Sequence, residues 1–307
     1  MLLHKNVLVV IAGPTAVGKT AVAIDIARRL DTVILSADSR QCFQELSIGV
    51  ARPSEAELKA VPHYFIASHS VHKEMSAAIY EVYALELLAR LFQQYPVVVV
   101  TGGTGLYIKA LLEGLDPVPP VAAGLREGII SNYETRGIGW LQQELEKKDP
   151  LFALKGEMQN PQRMMRALEV IEATGQSILK FQSQTKQHRP FDTINIGLEL
   201  PRPLLYERIN QRVAGMMEAG LEAEVRSLLP LRQLNALQTV GYQELFQYFD
   251  GTLSREQAVA LIQQNTRRYA KRQLTWFKKQ AGFHWVEATA YPTILPLIKS
   301  RLEQEAK

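Results

Sequence analysis

Residues 7–20 read Val7-Leu-Val-Val-Ile11-Ala-Gly13-Pro14-Thr15-Ala16-Val17-Gly18-Lys19-Thr20. The run Val7–Ile11 is uniformly apolar, as expected of a strand buried on both faces. Residues 13–20 fit G-x-x-x-x-G-K-[ST], and a helical pattern follows, with Ala23, Ala27 and Leu30 at i, i+4 and i+7. In a strand–loop–helix of this kind, successive backbone N–H groups converge on one concavity and the helix N-terminus adds positive potential. Gly13 through Thr20 therefore form a candidate diphosphate cradle. Lys19 can reach the terminal phosphates, and the Thr20 hydroxyl can ligate Mg²⁺. The motif specifies a phosphate or diphosphate, and it does not specify ATP.

Two further apolar β-rich runs follow, Thr32–Leu35 and Pro96–Thr101, with a helical pattern over Met75–Gln94 between them. A later run, Thr193–Leu200, reads as another strand. Strands this apolar, alternating with helices, predict an α/β fold: a P-loop NTPase-like parallel sheet flanked by helices. Leu115–Pro120 (LDPVPP) reads as a proline-rich hinge. The stretch from about 121 to 186 reads as short helices broken by Gly and Pro, without a strand. The predicted organisation is a core of residues 1–116 and 190–307 with a helical insertion over 117–189. The last third is helical: 202–219, 222–229, and a long helix from the Ser254-Arg-Glu-Gln257 capping box to about Gln280.

The bulk properties set bounds. The chain has 307 residues, 47% apolar and 21% charged, with net charge +4. That is ordinary for a soluble globular protein and permits a polyanionic partner. One cysteine, Cys42, leaves no disulfide framework and no cysteine-based zinc site, which fits a reducing cytosol. No apolar stretch approaches the roughly 18 residues of a membrane span. MLLHKN at the N-terminus lacks the apolar core of a signal peptide.

The second strand ends in Ser36-Ala-Asp38-Ser39-Arg40-Gln41. The carboxyl ends of strands line the ligand crevice in a doubly wound sheet, so Asp38 should lie near the phosphate loop. There it can take a proton from a nucleophile or hold Mg²⁺ through water. It can equally cap the next turn, and position alone does not decide between these. The third strand, VVVVT, ends without the Asp that holds Mg²⁺ in many P-loop NTPases. A Gly102-Gly103-Thr104-Gly105 turn follows instead, which argues against an ATP-hydrolysing motor. Gly102 and Gly103 let backbone approach a ligand, and Thr104 offers a hydroxyl.

The C-terminal helix carries Arg267, Arg268, Lys271, Arg272, Lys278 and Lys279, with no acidic residue from 257 through 286. Gln264, Arg268, Lys271, Thr275 and Lys278 share one face by helical spacing. This is the footprint expected for nucleic acid, and a solvated face over an aromatic core would read the same way. Arg208 and Arg212 share another helix face, and either could clamp a diphosphate. The six histidines show no metal-ligand spacing.

Together these motifs resemble the tRNA dimethylallyltransferase family, also called tRNA isopentenyltransferase. The matching pieces are GPTAVGKT (13–20), SADSRQ (36–41), IGVARPS (48–54), GGTGLYI (102–108), NPQRMMRALEV (160–170), GYQEL (241–245) and TRRYAKRQLTWF (266–277). They occur in the family's order across nearly the whole chain. Cys42-Phe43 departs where the family usually has a tyrosine after the Gln, and Gly105 departs where a methionine is common.

The resemblance implies a bacterial-type enzyme, for which a monomer would suffice, and the cysteine usage fits the cytoplasm. The enzyme would transfer a dimethylallyl group from dimethylallyl diphosphate to N6 of the adenosine 3′ of the anticodon. It implies Asp38, Thr104 and Arg212 as catalytic residues, with Arg208 as the alternative arginine, and Mg²⁺ as cofactor. It implies Asp38, Ser39, Arg40, Gln41, Thr104, Arg126, Gln162, Arg163, Met164, Met165 and Arg166 as contacts to the tRNA anticodon stem-loop, with Arg268 and Lys271 on phosphates. Two other readings compete. A small-molecule P-loop kinase leaves the acid-free basic helix without a purpose. A non-enzymatic RNA-binding GTPase or ATPase would, as a GTPase, usually carry N-K-x-D, which is missing here.

Overall fold

The computed structural model describes residues 5–182 and 185–305. Most of the MLLHKN segment, residues 1–4, and Ser183 and Gln184 of the insertion lie outside them. The chain divides into two units, residues 1–113 with 188–307, and residues 114–187. The insertion boundaries thus fall two or three residues earlier than the composition shift suggests.

In the first unit the elements run β1 (Asn6–Ala12), α1 (Lys19–Arg29), β2 (Ile34–Ser36), α2 (Glu55–Ala60), β3 (His63–Tyr64), α3 (Ala77–Leu91), β4 (Val97–Gly102) and α4 (Gly105–Glu113). The second unit holds α5 (Ala123–Lys148), α6 (Pro150–Lys155) and α7 (Pro161–Thr174). The chain returns through β5 (Phe191–Glu199), α8 (Arg202–Glu218), α9 (Leu221–Ser227), α10 (Tyr242–Phe249), α11 (Arg255–Lys278), β6 (Phe283–Glu287) and α12 (Ile294–Glu305).

One six-stranded sheet has the order β3-β2-β4-β1-β5-β6, and every pairing is parallel. Val7 to Ala12 are wholly buried, because helices cover both faces. Val9, Ile11, Val99, Ile194 and Ile196 meet Ile26 of α1 and Ile209 of α8 in one core. The register sets Ala12 opposite Gly102 and Gly197, and Ser36 opposite Thr101. The carboxyl ends of β1, β2 and β4 therefore stand side by side along one sheet edge, where a doubly wound fold binds its ligands.

Two edge strands were not legible in the sequence. β3 has two residues, His63 and Tyr64, too few for a periodicity. β6 follows the basic helix closely and is stabilised by pairing with β5 rather than by a pattern of its own. In the second unit, α5 is two helical segments joined at a kink, where Gly137 (φ +76°, ψ −174°) leaves the helical region, as the glycine content suggests. Ile129, Leu141, Leu145, Phe152, Met164 and Leu168 form this unit's own core.

Candidate active site

The loop after β1 adopts the shape its glycines allow. Ala16 (φ +64°) and Gly18 (φ +106°) both lie in the left-handed region. Such turns direct successive N–H groups into an anion-binding concavity. α1 opens at Lys19, so its N-terminal dipole points to the same place. Lys19 Nζ donates to Pro14 O at 2.8 Å. Burial, assisted by the positive charge of Arg212 and opposed by Asp38, lowers the Lys19 ammonium to about 8. An anion beside it would favour the charged form.

Both candidate arginines face this loop. Arg212 Nη1 donates to Thr15 Oγ1 at 3.3 Å, and Arg208 Nη1 to Val17 O at 3.4 Å. Arg212 lines the cleft over the loop, whereas Arg208 braces the loop's backbone from outside the cleft lining.

Asp38 performs the local task and leaves the chemical one open. Its Oδ1 accepts from the backbone N–H groups of Arg40 (2.9 Å) and Gln41 (3.2 Å). The carboxylate lines a cleft of about 750 Å³ together with Lys19, Thr20, Ser39 and Arg212. Thr104 joins the ends of β2 and β4. Its Oγ1 accepts from Ser39 N at 3.0 Å and donates to Ser39 Oγ at 3.3 Å, while its N–H donates to Ala37 O at 3.2 Å. A Cβ on Gly102 would lie 2.2 Å from Ala37 O, so glycine is needed there for β4 to reach β2. Gln41 Nε2 donates to Val50 O (3.2 Å) and Ala51 O (2.9 Å), tying SADSRQ to the 48–54 segment.

α11 contributes two faces. Gln264, Arg268, Lys271, Thr275 and Lys278 are exposed, as the spacing predicts. Ile262, Thr266, Tyr269 and Gln273 point the other way and line the cleft. Burial, together with Asp38, pushes the Tyr269 hydroxyl up to about 12, with Thr104 among the groups opposing the rise. Arg272 stacks 5.8 Å over the Tyr269 ring. Gln273, buried, accepts from Thr15 N at 2.8 Å and donates to Gly103 O at 2.9 Å.

The sequence reading missed Tyr269 and Gln273 because the charges of this helix drew attention to its outer face. It also missed Glu224 of α9. This carboxylate accepts from the N–H groups of Ser47, Ile48 and Gly49 and from the Tyr242 hydroxyl at 2.6–3.2 Å. Tyr242 closes on Gly49, where a Cβ would lie 2.6 Å from its ring. The IGVARPS and GYQEL segments are thus a single packed latch. The departure at Gly105 also has a partner, since the Trp276 indole occupies the space a side chain would need, 2.3 Å from a hypothetical Cβ.

The remaining predicted contacts lie in the second unit. Gln162 and Arg163 are exposed at the start of α7, which Asn160 caps by accepting from Arg163 N at 3.3 Å. Arg126 and Arg166 converge on Glu169, which is buried. Met164 and Met165, in contrast, are 0% and 5% exposed and pack within the core of this unit. The helical repeat turns them inward from the same segment that turns Gln162 and Arg163 outward.

As to metal, no cluster of three or more His, Cys, Asp or Glu able to hold an ion occurs among the described residues. A Mg²⁺ here would take the Thr20 hydroxyl, phosphate oxygens and water as ligands, an all-oxygen set that suits this ion. No helix among the described residues is long and apolar enough to cross a membrane.

A parallel sheet with a phosphate loop and an aspartate at adjoining strand ends defines a protein of the P-loop class. The family described as IPP transferase matches residues 41–280, and the chain belongs to this family. It is 47% identical over 302 residues to the tRNA dimethylallyltransferase of Cytophaga hutchinsonii, covering 98% of this chain and 99% of that one. It is 46% identical over 282 residues to that of Christiangramia forsetii, covering 92% and 93%. The solved full-length tRNA isopentenylpyrophosphate transferase from Bacillus halodurans superposes with a TM-score of 0.73 at 33% identity, covering 98% of each chain. A eukaryotic dimethylallyltransferase acting on tRNA shares the fold, with a TM-score of 0.77 at 23% identity over 96% of this chain and 77% of that one.

Proposed function

We propose that this protein transfers a dimethylallyl group from dimethylallyl diphosphate to N6 of the adenosine 3′ of the anticodon in tRNA. One observation carries the reading: the phosphate loop, Asp38 and Ser39, the last hydrogen-bonded to Thr104, face a single cleft bordered by a helix whose outer side is basic. The loop N–H groups, Lys19 and Arg212 hold the diphosphate. As the allylic C–O bond breaks, its electron pair leaves with the diphosphate, and fixed cations stabilise that charge. Thr20 would hold a Mg²⁺ ion, which would further neutralise the phosphate oxygens.

The N6 lone pair forms the new C–N bond, and Asp38 takes the proton the nitrogen loses. Thr104 holds the acceptor side of the cleft in place through Ser39. The target base leaves its stack to enter the cleft. Ser39, Arg40 and Gln41 hold it there, and Arg126, Gln162, Arg163 and Arg166 take the stem-loop. Arg268 and Lys271 take phosphates. The enzyme acts as a monomer in the cytoplasm, where Cys42, buried and pushed up to about 12 by burial, stays a thiol.

Mass spectrometry of unmodified tRNA incubated with the protein, Mg²⁺ and dimethylallyl diphosphate tests this. The expected result is one dimethylallyl mass gain on the fragment holding the adenosine 3′ of the anticodon. No gain, with ATP turned over on a small metabolite instead, would return the phosphate loop to a kinase role.

A further inference from the structure

The phosphate loop and the glycine turn after β4 come from different parts of the sheet, and one side chain spans them. Gln273 Oε1 accepts from Thr15 N at 2.8 Å, and Gln273 Nε2 donates to Gly103 O at 2.9 Å. Its amide is buried, and the space for it exists only because residue 103 is glycine: a Cβ there would lie 2.3 Å from Nε2. Thr15 belongs to the loop that ends in Lys19 and Thr20. Gly103 immediately precedes Thr104, which is hydrogen-bonded to Ser39 beside Asp38.

We infer that Gln273 is a positioning residue that sets the spacing between the diphosphate half of the cleft and the nucleophile half. The inference rests on the transferase reading above. Transfer between two bound substrates depends steeply on the separation of the reacting atoms, and a misplacement of about 1 Å costs about 10²-fold in rate. Each substrate is held by its own half, so loss of the spacer falls on kcat rather than on either KM. The spacer also sits on the same helix as Arg268 and Lys271, so the element that meets RNA phosphates sets the reaction geometry from its other face.

Gln273→Ala and Gln273→Glu test this, assayed beside the wild type with dimethylallyl diphosphate and tRNA. Gln273→Ala should lower kcat about 10²-fold and leave both KM values within about threefold. Gln273→Glu carries a second signature. A protonated carboxyl repeats both bonds of the amide, with its C=O accepting from Thr15 N and its O–H donating to Gly103 O. Ionised, it cannot donate, and it sets a negative charge beside the diphosphate. The ratio of Gln273→Glu to wild-type kcat should therefore climb as pH falls, while the Gln273→Ala ratio stays level.

Wild-type kcat in Gln273→Ala, or a Gln273→Glu ratio that does not move with pH, overturns the inference. If Gln273→Ala does not fold, the Gln273→Glu ratio decides alone. If the wild type itself transfers nothing, it is the transferase reading that falls, before the variants are compared.

Discussion

Arg212 Nη1 donates to Thr15 Oγ1 at 3.3 Å, so a second cation stands beside Lys19 at the phosphate loop. With burial, that charge lowers Lys19 from its ordinary 10.5 to about 8. The folded-state value lies below the unfolded one, so charged Lys19 costs stability at neutral pH, and the cost fades as pH rises from about 8 toward 10.5. The depression corresponds to about 3 kcal/mol. Lys19→Met should therefore raise Tm by a few degrees at pH 7 while abolishing transfer, and its advantage should shrink toward pH 10. Thermal unfolding across pH checks this, and an unchanged or lowered Tm at pH 7 would contradict it.

Asp38 should be tested with asparagine rather than alanine. Its Oδ1 holds the turn at Arg40 and Gln41, which alanine would also release. The asparagine amide could still accept both bonds through its carbonyl oxygen but could not take a proton. Asp38→Asn should leave tRNA affinity close to wild type and lower the single-turnover rate by roughly 10²–10⁴. An unchanged rate would remove Asp38 from proton transfer.

Lys271 and Lys278 share the outer face of α11 but differ in commitment. Lys278 Nζ lies 2.7 Å from Glu199 Oε2 and 5.3 Å over the Trp285 ring. Lys271→Ala should weaken binding of all tRNAs alike and reduce the salt dependence of log K by about one. Lys278→Ala should do less, because its charge is already partly neutralised. Binding titrations over a range of salt separate the two, and equal slopes would show that the Glu199 pair opens on binding.

Glu169 holds Arg126 (3.3 Å) and Arg166 (3.0 Å) from a buried position. The pairing turns two flexible side chains into a fixed basic fork. Glu169→Gln removes the charge and keeps the shape, so tRNA affinity should fall several-fold with kcat at saturating tRNA unchanged. A fall in kcat instead would mean that the second unit takes part in the chemical step.

Much of this molecule was determined by local sequence. Val7–Thr20 encodes a buried strand, a left-handed loop and a helix start, because each depends on residues only a few positions apart. The exposed stripe on α11 was legible for the same reason: helical spacing alone sets which residues share a face. The short edge strands β3 and β6 were not, since pairing partners far along the chain stabilise them. The same limit hid Met164 and Met165, which a motif groups with Arg163 and Arg166 but the packing of the second unit turns inward.

The composite site was decided by tertiary structure. Asp38, Thr104, Arg212 and Gln273 lie up to 235 residues apart and meet because parallel pairing aligns the ends of β1, β2 and β4 and because α11 packs across them. Gln273 had no signal of its own. A buried amide becomes informative only when its two partners are known, and both Thr15 N and Gly103 O are backbone atoms, so neither bond is written in a side chain.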